Sequence, residues 1–261
     1  MPSNIELMST VKGEGPDLIL LHGLFGAGDS LGGIRRRLSP SFRVHSLDLR
    51  NHGHSPHTRS MSYPEMAADV LAYMRTAHLH QVCLLGHSMG GKVAMEMALI
   101  APEMVARLIV ADIAPVAYEP HHDHIIQALS DFEPAQMSSR READAALARF
   151  IPERGVRQFL LTNLVPTDGG FRWRMNVAGI LACYDQIMAA PQTQGVYEGP
   201  TLFIRGGESD YIQQGHSDAV ARFFPHADLR VMPGVGHWLH AEKPELFSRL
   251  CQRFLEVSGQ Q

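Results

Sequence analysis

The sequence predicts an α/β fold, in which a mostly parallel central sheet carries helices on both faces. Short continuous apolar runs alternate along most of the chain with segments of helical spacing, an order typical of βαβ units. The runs lack the polar alternation of half-exposed strands, so we expect strands that are buried on both faces. A chain of 261 residues is long enough for one large domain with an inserted subdomain.

Each element of this alternation has its own signal in the chain. The predicted strands cover residues 17–21, 42–47, 82–85, 105–111, 200–205 and 228–232. The predicted helices cover residues 30–38, 62–77, 215–224 and 244–257, together with a helix that follows Ser88 and stops near Pro102. The helix at 62–77 has the clearest start, because Ser62 can cap it and Glu65 completes a capping box.

The alternation breaks after Pro115. From there to about Gln194 the chain has amphipathic helical patches, at residues 142–150 and 156–164, and no convincing strand. We therefore predict a helical cap inserted into the α/β core. The predicted core comprises residues 1–115 and 195–261, and the predicted cap comprises residues 116–194.

Composition and charge exclude several classes of partner. The net charge is −4 and the densest basic patch is only residues 35–37, so we expect no nucleic acid. No run approaches the ~20 apolar residues of a membrane span, and residues 1–15 lack the apolar core of a signal peptide. Three widely spaced cysteines, Cys83, Cys183 and Cys251, favour a reducing compartment over a disulfide framework. We predict a cytoplasmic protein and leave its oligomeric state open.

Fifteen histidines include two clusters that could suggest a metal site. The clusters consist of His52, His54 and His57, and of His121, His122 and His124. Neither has the spacing of a metal-ligand motif, and neither has a matching carboxylate pattern nearby. We expect solvated loop histidines and no metal.

The sequence Gly-His-Ser-Met-Gly-Gly at residues 86–91 lies between an apolar run and a helical pattern. A G-x-S-x-G motif between a strand and a helix is typical of a sharp turn that exposes one hydroxyl, here that of Ser88. The helix that begins at Met89 can direct its backbone N–H at a developing oxyanion. Ser88 is therefore the candidate nucleophile, and Met89 is a candidate oxyanion donor.

A seryl hydroxyl needs a base, an acid that orients the base, and a second oxyanion donor. His237 lies in a glycine-rich loop after the last predicted strand and is the candidate base. Asp112 and Asp210 both follow strand ends and are the two candidate acids. The turn after the first strand can supply the second backbone N–H, from Leu24 or alternatively from Phe25.

Five segments, spread in order over nearly the whole chain, carry a resemblance to a known family. They are residues 22–26 (HGLFG), 48–55 (DLRNHGHS), 86–92 (GHSMGGK), 112–116 (DIAPV) and 234–244 (GVGHWLHAEKP). The chain resembles the α/β-hydrolase superfamily, and more narrowly the small bacterial carboxylesterases of the YbfF type. The resemblance implies the α/β-hydrolase fold, hydrolysis of carboxylic esters and often of acyl-CoA thioesters, and no metal or organic cofactor.

The resemblance also bears on the choice between the two acids. Most of the superfamily keeps its acid where Asp210 lies, whereas the esterases that this chain most resembles keep it where Asp112 lies. Asp210 could equally be a helix cap or a turn residue. A carboxylate at the end of the apolar strand before Asp112 would be costly unless it had a partner such as a histidine N–H. We therefore favour Asp112 and keep Asp210 as the alternative.

The sequence predicts a serine carboxylesterase for short to medium acyl esters, with acyl-CoA thioesters as a further substrate class. The alternatives are a carbon–carbon bond hydrolase or a cofactor-free haloperoxidase on the same frame, or a non-catalytic ligand-binding module. The predicted partner is a small-molecule acyl ester or thioester. Eight residues are the candidate substrate pocket, five of them as an apolar wall in the cap: Phe25, His87, Phe159, Leu160, Leu164, Trp173, Met175 and Trp238.

Overall fold

Seven strands form the central sheet of the computed structural model, which describes residues 5–256. In chain order the strands are β1 (Ser9–Lys12), β2 (Asp17–Leu21), β3 (Arg43–Leu47), β4 (Val82–His87), β5 (Val105–Ala111), β6 (Leu164–Thr167), β7 (Gly170–Trp173), β8 (Thr201–Gly206) and β9 (Ala227–Met232). The spatial order in the central sheet is β1-β3-β2-β4-β5-β8-β9. Every pair in it is parallel except β1 with β3. The six predicted strands of the core and their parallel arrangement are confirmed.

Eleven α-helices accompany the strands within the described residues. They are α1 (Gly32–Leu38), α2 (Tyr63–Thr76), α3 (Met89–Ile100), α4 (Asp123–Asp131), α5 (Arg140–Leu147), α6 (Arg154–Leu161), α7 (Val177–Ala182), α8 (Tyr184–Met188), α9 (Ser217–Phe223), α10 (Leu239–Glu242) and α11 (Pro244–Glu256). Ser62 and Glu65 form the predicted capping box at the start of α2. The predicted end of the last helix, Val257, lies outside the described residues.

Helices cover both faces of the sheet because alternate strand residues face opposite sides. Leu18 and Leu20 of β2 belong to an apolar cluster with residues of α1 and α11. Ile19 and Leu21 of the same strand belong to a second cluster with residues of α2 and α3. All four side chains are fully buried, which is why the run has no polar alternation.

The edge strand β1 was not predicted from the sequence. All four of its residues are exposed, so it has no buried face that would impose an apolar pattern. It pairs antiparallel with β3, from Ser9 opposite Leu47 to Lys12 opposite Val44. An antiparallel edge strand of this kind makes the sheet mostly rather than wholly parallel.

Residues 116–194 contribute helices α4 to α8 and no strand of the central sheet within the described chain. The prediction that this segment has no strand is wrong, because β6 and β7 form an antiparallel hairpin. Each strand has only four residues and is partly exposed, too short for a clear alternating pattern. The helix predicted at 156–164 ends earlier, at Leu161, where the chain turns into β6. The division into core and cap stays a prediction.

Within residues 5–256, no helix is both long enough and apolar enough to cross a membrane.

Candidate active site

Ser88 lies at the turn between β4 and α3, with backbone angles of φ 53° and ψ −121°. A non-glycine residue in this region is strained, and such strain is common at functional sites. A Cβ atom at Gly86 would lie 2.1 Å from the carbonyl O of Gly90, and one at Gly90 would lie 2.3 Å from that of Leu21. Both glycines are therefore required by close backbone approach, and the turn leaves the Ser88 side chain half-buried beside a cavity.

His237 connects Ser88 to a buried carboxylate. Its Nε2 atom lies 3.0 Å from Oγ of Ser88, and its Nδ1 atom lies 2.7 Å from Oδ2 of Asp112. A carboxylate can only accept, so Nδ1–H donates to Asp112 and Nε2 is free to accept from the seryl hydroxyl. This tautomer is the one that a general base acting on Ser88 needs.

Asp112 follows β5 and is fully buried. One carboxylate oxygen accepts from the Gly206 N–H at 2.8 Å, and the other accepts from the Ser209 hydroxyl as well as from His237. These donors compensate the cost of removing the carboxylate from water. Asp210 is exposed, and its side chain makes no hydrogen bond within residues 5–256. The acceptor of the His237 Nδ1–H is thus Asp112 and not the alternative acid.

The three candidate oxyanion donors differ in whether the backbone N–H already has an acceptor. The Phe25 N–H donates to Nε2 of His52 at 3.1 Å, so the alternative donor Phe25 is already used inside the protein. The backbone N–H groups of Leu24 and Met89 have no acceptor within the described part of the chain. Leu24 and Met89 are therefore the amides that are open to a ligand at Ser88.

Two buried histidines support the loop that holds Leu24. The Nδ1 atom of His22 hydrogen-bonds the Gly23 carbonyl O at 2.8 Å, and its Nε2 accepts from the Leu49 N–H at 3.0 Å. His52 likewise bonds the Arg50 carbonyl O through Nδ1 at 2.9 Å and accepts from Phe25. Burial lowers the pKa of His22 to about 4 and that of His52 to about 3, so both rings are neutral at pH 7.

The expectation that both histidine clusters are solvated needs correction. His52 is fully buried, and His122 is half-buried, its pKa lowered to about 3, mainly by burial. The exposed members are His54, His57, His121 and His124. No group of three or more His, Cys, Asp and Glu side chains is placed to hold a metal ion within residues 5–256. His52 lies inside the motif at 48–55, and its burial comes from contacts that are distant in the chain.

Two residues pack around His237, one of which was predicted from the sequence and one of which was not. His87, a predicted pocket residue, bonds the carbonyl O of His237 through Nε2 at 2.9 Å. Burial, followed by the charges of His240 and His237, lowers the pKa of His87 well below its ordinary value, so its ring is neutral. Tyr211, which sequence reasoning missed, stacks on the His237 ring with the centroids 4.0 Å apart. Its only sequence signal is its place after Asp210 in the loop that follows β8.

A cavity of about 870 Å³ opens beside Ser88 and His237. Five predicted pocket residues line it: Phe25, His87, Phe159, Leu160 and Trp238. Leu164, Trp173 and Met175 are not among the lining residues, so their prediction as cavity wall is wrong. Leu164 and Met175 are buried in the apolar core, and Trp173 packs against Phe132 with ring centroids 5.3 Å apart.

A parallel sheet with a serine at the turn after a central strand defines the class of α/β hydrolases. The family model described as the alpha/beta hydrolase family matches residues 18–250. The chain belongs to this family and, within it, to the esterases and lipases of the YbfF type.

Individual relatives agree with this placement. The chain is 40% identical over 248 residues to mouse sn-1-specific diacylglycerol lipase ABHD11, covering 92% of this chain and 81% of the relative. It is 37% identical over 239 residues to esterase YbfF of Escherichia coli strain K12, covering 91% and 92% of the two chains. A solved structure described as a marine microorganism esterase superposes with a TM-score of 0.93 at 39% identity, over 96% of this chain and 99% of the other. The protein is a hydrolase that acts on esters.

Proposed function

We propose that the protein hydrolyses short to medium acyl esters through an acyl-enzyme on Ser88. The observation that carries this proposal is the pair of hydrogen bonds that links Asp112 to His237 at 2.7 Å and His237 to Ser88 at 3.0 Å. Nucleophile, base and orienting acid are thus within hydrogen-bond reach of one another, as nucleophilic catalysis requires.

In the acylation step, Nε2 of His237 takes the hydroxyl proton of Ser88 while Oγ attacks the acyl carbon. The carbonyl oxygen becomes an oxyanion, for which the open amides of Leu24 and Met89 are the proposed donors. His237 then gives its proton to the leaving alcohol or thiol as the bond to the acyl carbon breaks. In the deacylation step His237 removes a proton from water, the hydroxide attacks the acyl carbon, and Ser88 recovers its proton as the acid leaves.

Asp112 acts through His237 rather than on the substrate. Its carboxylate holds the Nδ1–H tautomer and stabilises the imidazolium that forms while the ring carries the seryl proton. Because Gly206 and Ser209 also donate to this carboxylate, its position is set by three independent contacts.

We further propose that residues 116–194 form a cap over the cavity and select the acyl chain. Phe159 and Leu160 of α6 support this, because they line the same cavity as Ser88 and His237 of the predicted core. The apolar lining and a volume of about 870 Å³ favour acyl chains over small polar groups. Thioester substrates, suggested by the resemblance at the level of sequence, belong to the same proposal.

A cytoplasmic location stays a prediction as well. Cys83, Cys183 and Cys251 are all free thiols, as expected of a protein in a reducing compartment.

The test of the function replaces the nucleophile. Ser88→Ala should lower kcat for p-nitrophenyl butyrate by about 10⁴-fold or more with the fold intact, because the step that forms the acyl-enzyme is removed. Ser217→Ala, at an exposed serine outside the cavity, is the matched control and should keep the wild-type rate. Circular dichroism of both variants checks the fold.

The same experiment separates the alternatives. An organophosphonate probe should label wild-type protein stoichiometrically and leave Ser88→Ala unlabelled. Labelling of the wild type without turnover of any ester would favour a non-catalytic ligand-binding module. A Ser88→Ala variant that keeps more than a tenth of the ester turnover would contradict the proposed nucleophile.

A further inference from the structure

Arg174 follows the last residue of β7 and lines the cavity beside Ser88. Its backbone is held on both sides: the N–H donates to the Asn163 carbonyl O at 2.8 Å, and the carbonyl O accepts from the His57 ring at 3.2 Å. The base of the side chain is therefore fixed in the cavity wall, although the guanidinium itself has no such support.

Within residues 5–256, the guanidinium of Arg174 makes no hydrogen bond and no ion pair. Its Nε atom is buried and without a hydrogen-bond acceptor, and the side chain joins no ion pair within residues 5–256. Two other charged residues of the cavity wall do have partners: Lys92 donates to two backbone carbonyls, and Asp29 pairs with Arg35. The two remaining carboxylates of the wall, Glu153 and Glu242, lie outside ion-pair distance of Arg174.

A buried guanidinium N–H without an acceptor is unfavourable, and in native proteins such groups are rare. A guanidinium presents its donors in a planar fork, which matches two oxygens of a carboxylate or a phosphate. An anion that entered the cavity would supply the missing acceptors. The unpaired guanidinium therefore indicates which kind of ligand would suit the cavity, namely one with an anionic group.

Arg174 is also connected to the loop that carries Leu24, one of the two proposed oxyanion donors. Asn163, its backbone partner, donates from Nδ2 to the Phe25 carbonyl O at 2.7 Å. Burial lowers the pKa of His22, which holds the Gly23 carbonyl, and the positive charge of Arg174 contributes to this shift. The guanidinium therefore lies on the side of the cavity that holds residues 22–25.

We propose that Arg174 recognises an anionic group, a carboxylate or a phosphate, on the ester or thioester substrate. The inference rests on the proposed hydrolysis at Ser88 and adds the substrate class: acyl esters whose acyl or leaving group carries an oxyanion. Lys92 does not compete for this role, because its ammonium is held by the carbonyls of Met188 and Ala189.

Two matched substrate pairs separate the two sources of negative charge. The monoethyl ester of glutaric acid carries a carboxylate on the acyl side, and the ethyl ester of glutaramic acid is its neutral isostere. Butyryl-CoA carries phosphates on the leaving group, and butyryl-pantetheine lacks them. Wild-type kcat/KM should be at least tenfold higher for the anionic member of at least one pair.

Arg174→Gln should lower kcat/KM for the preferred anionic substrate about 10- to 100-fold, mainly through KM, because a charge-assisted hydrogen bond is lost. Its neutral partner should lose far less, and Arg174→Lys should keep part of the preference. The matched control is Arg172→Gln, two residues earlier on β7, where the side chain is exposed and outside the cavity; this variant should behave as wild type. Equal losses for both members of each pair, or no wild-type preference in either pair, would overturn the assignment.

A binding measurement keeps this test independent of turnover. In the Ser88→Ala background, calorimetry should show that Arg174→Gln weakens binding of monoethyl glutarate or butyryl-CoA at least tenfold. If wild-type protein hydrolyses none of the four substrates, the proposed hydrolysis fails while this difference in affinity still supports Arg174. Unchanged affinity for both ligands overturns the anion site whatever the hydrolysis result.

Discussion

Left-handed backbone angles outside glycine cluster at the candidate site. Of the five non-glycine residues with positive φ among residues 5–256, four belong to it or to its supporting loops: Phe25 at 61°, Asn51 at 65°, Ser88 at 53° and Asp112 at 53°. Each of these conformations costs free energy that the surrounding structure must offset. At Ser88 and Asp112 the strain places a side chain beyond a strand end, where His237 can reach both.

The choice between the two acids is tested at single residues. Asp112→Asn should lower kcat by about 10³- to 10⁴-fold, because an amide in place of the carboxylate no longer holds the Nδ1–H tautomer of His237. Asp210→Asn should cost about tenfold or less, since its exposed side chain does not contact His237. Steady-state kinetics on p-nitrophenyl butyrate decide between them, and a large loss confined to Asp210→Asn would show that our assignment is wrong.

The neutral histidines under the site predict a sensitivity to acid. The pKa of His52 is lowered from 6.5 to about 3 in the fold, so below pH 6.5 the unfolded chain takes up a proton that the folded chain rejects. The stability associated with His52 is complete above pH 6.5 and falls as the pH decreases towards 3. His52→Gln should therefore lose less stability than wild type between pH 6.5 and 4.5, by about 2 to 3 kcal/mol. Urea denaturation at the two pH values measures the difference, and equal losses would contradict it.

At the scale of elements, α6 and the β6–β7 hairpin contribute different side chains to the cavity wall. Phe159 on α6 lines the cavity and packs against Trp238 with ring centroids 5.4 Å apart. Trp173 of the hairpin is half-buried and packs against Phe132, and Arg174, the residue directly after the hairpin, lines the cavity. A helix and a hairpin adjacent in sequence thus supply an apolar wall and a cation to one cavity.

The apolar wall gives a prediction about chain length. Phe159→Ala should lower kcat/KM for p-nitrophenyl octanoate about tenfold relative to the acetate, because a longer acyl chain loses its contact with the ring. Trp173→Phe changes an aromatic residue outside the cavity and should leave the ratio of the two rates unchanged. A uniform loss for both esters in Phe159→Ala would indicate that the ring only packs the segment onto the core.

At the scale of the whole molecule, two charged side chains of α3 attach the C-terminal end of the segment 116–194 to the core. Glu96 is fully buried and accepts from the backbone N–H groups of Gln192 and Thr193 at 2.6 and 3.1 Å. Lys92, one turn earlier, donates to carbonyls at the end of α8, and burial lowers its pKa to about 7. These contacts join the segment to α3, the helix that directly follows Ser88.

Removal of the buried carboxylate should weaken the whole fold. Glu96→Ala removes the buried acceptor of the Gln192 and Thr193 backbone N–H groups and should lower the free energy of unfolding by about 2 to 4 kcal/mol. Glu103→Ala, at an exposed residue just after α3, is the control and should change it by less than about 0.5 kcal/mol. Urea denaturation at pH 7 gives both values, and equal stability of the two variants would refute this account of the attachment.

Local signals in the sequence were sufficient for much of the fold and for Ser88. The apolar runs of the core strands, the capping box of α2 and the glycines around Ser88 are determined by neighbours a few residues away. Such short-range constraints impose a pattern on the sequence itself, which is why the strands and the nucleophile turn could be predicted. The exposed strand β1 and the short hairpin carry no such pattern and were missed.

The sequence by itself determined the order of the six parallel core strands, the serine at the turn and the histidine after the last strand. The tertiary structure alone decided which of two aspartates contacts that histidine and that the Phe25 amide already has an acceptor. It also decided that the buried Nε–H of Arg174 has no acceptor within residues 5–256. The physical reason is distance along the chain: Asp112 lies 125 residues from His237, and Phe25 lies 27 residues from His52. Contacts of that range depend on how the sheet brings strand ends together, and no local pattern of residues encodes them.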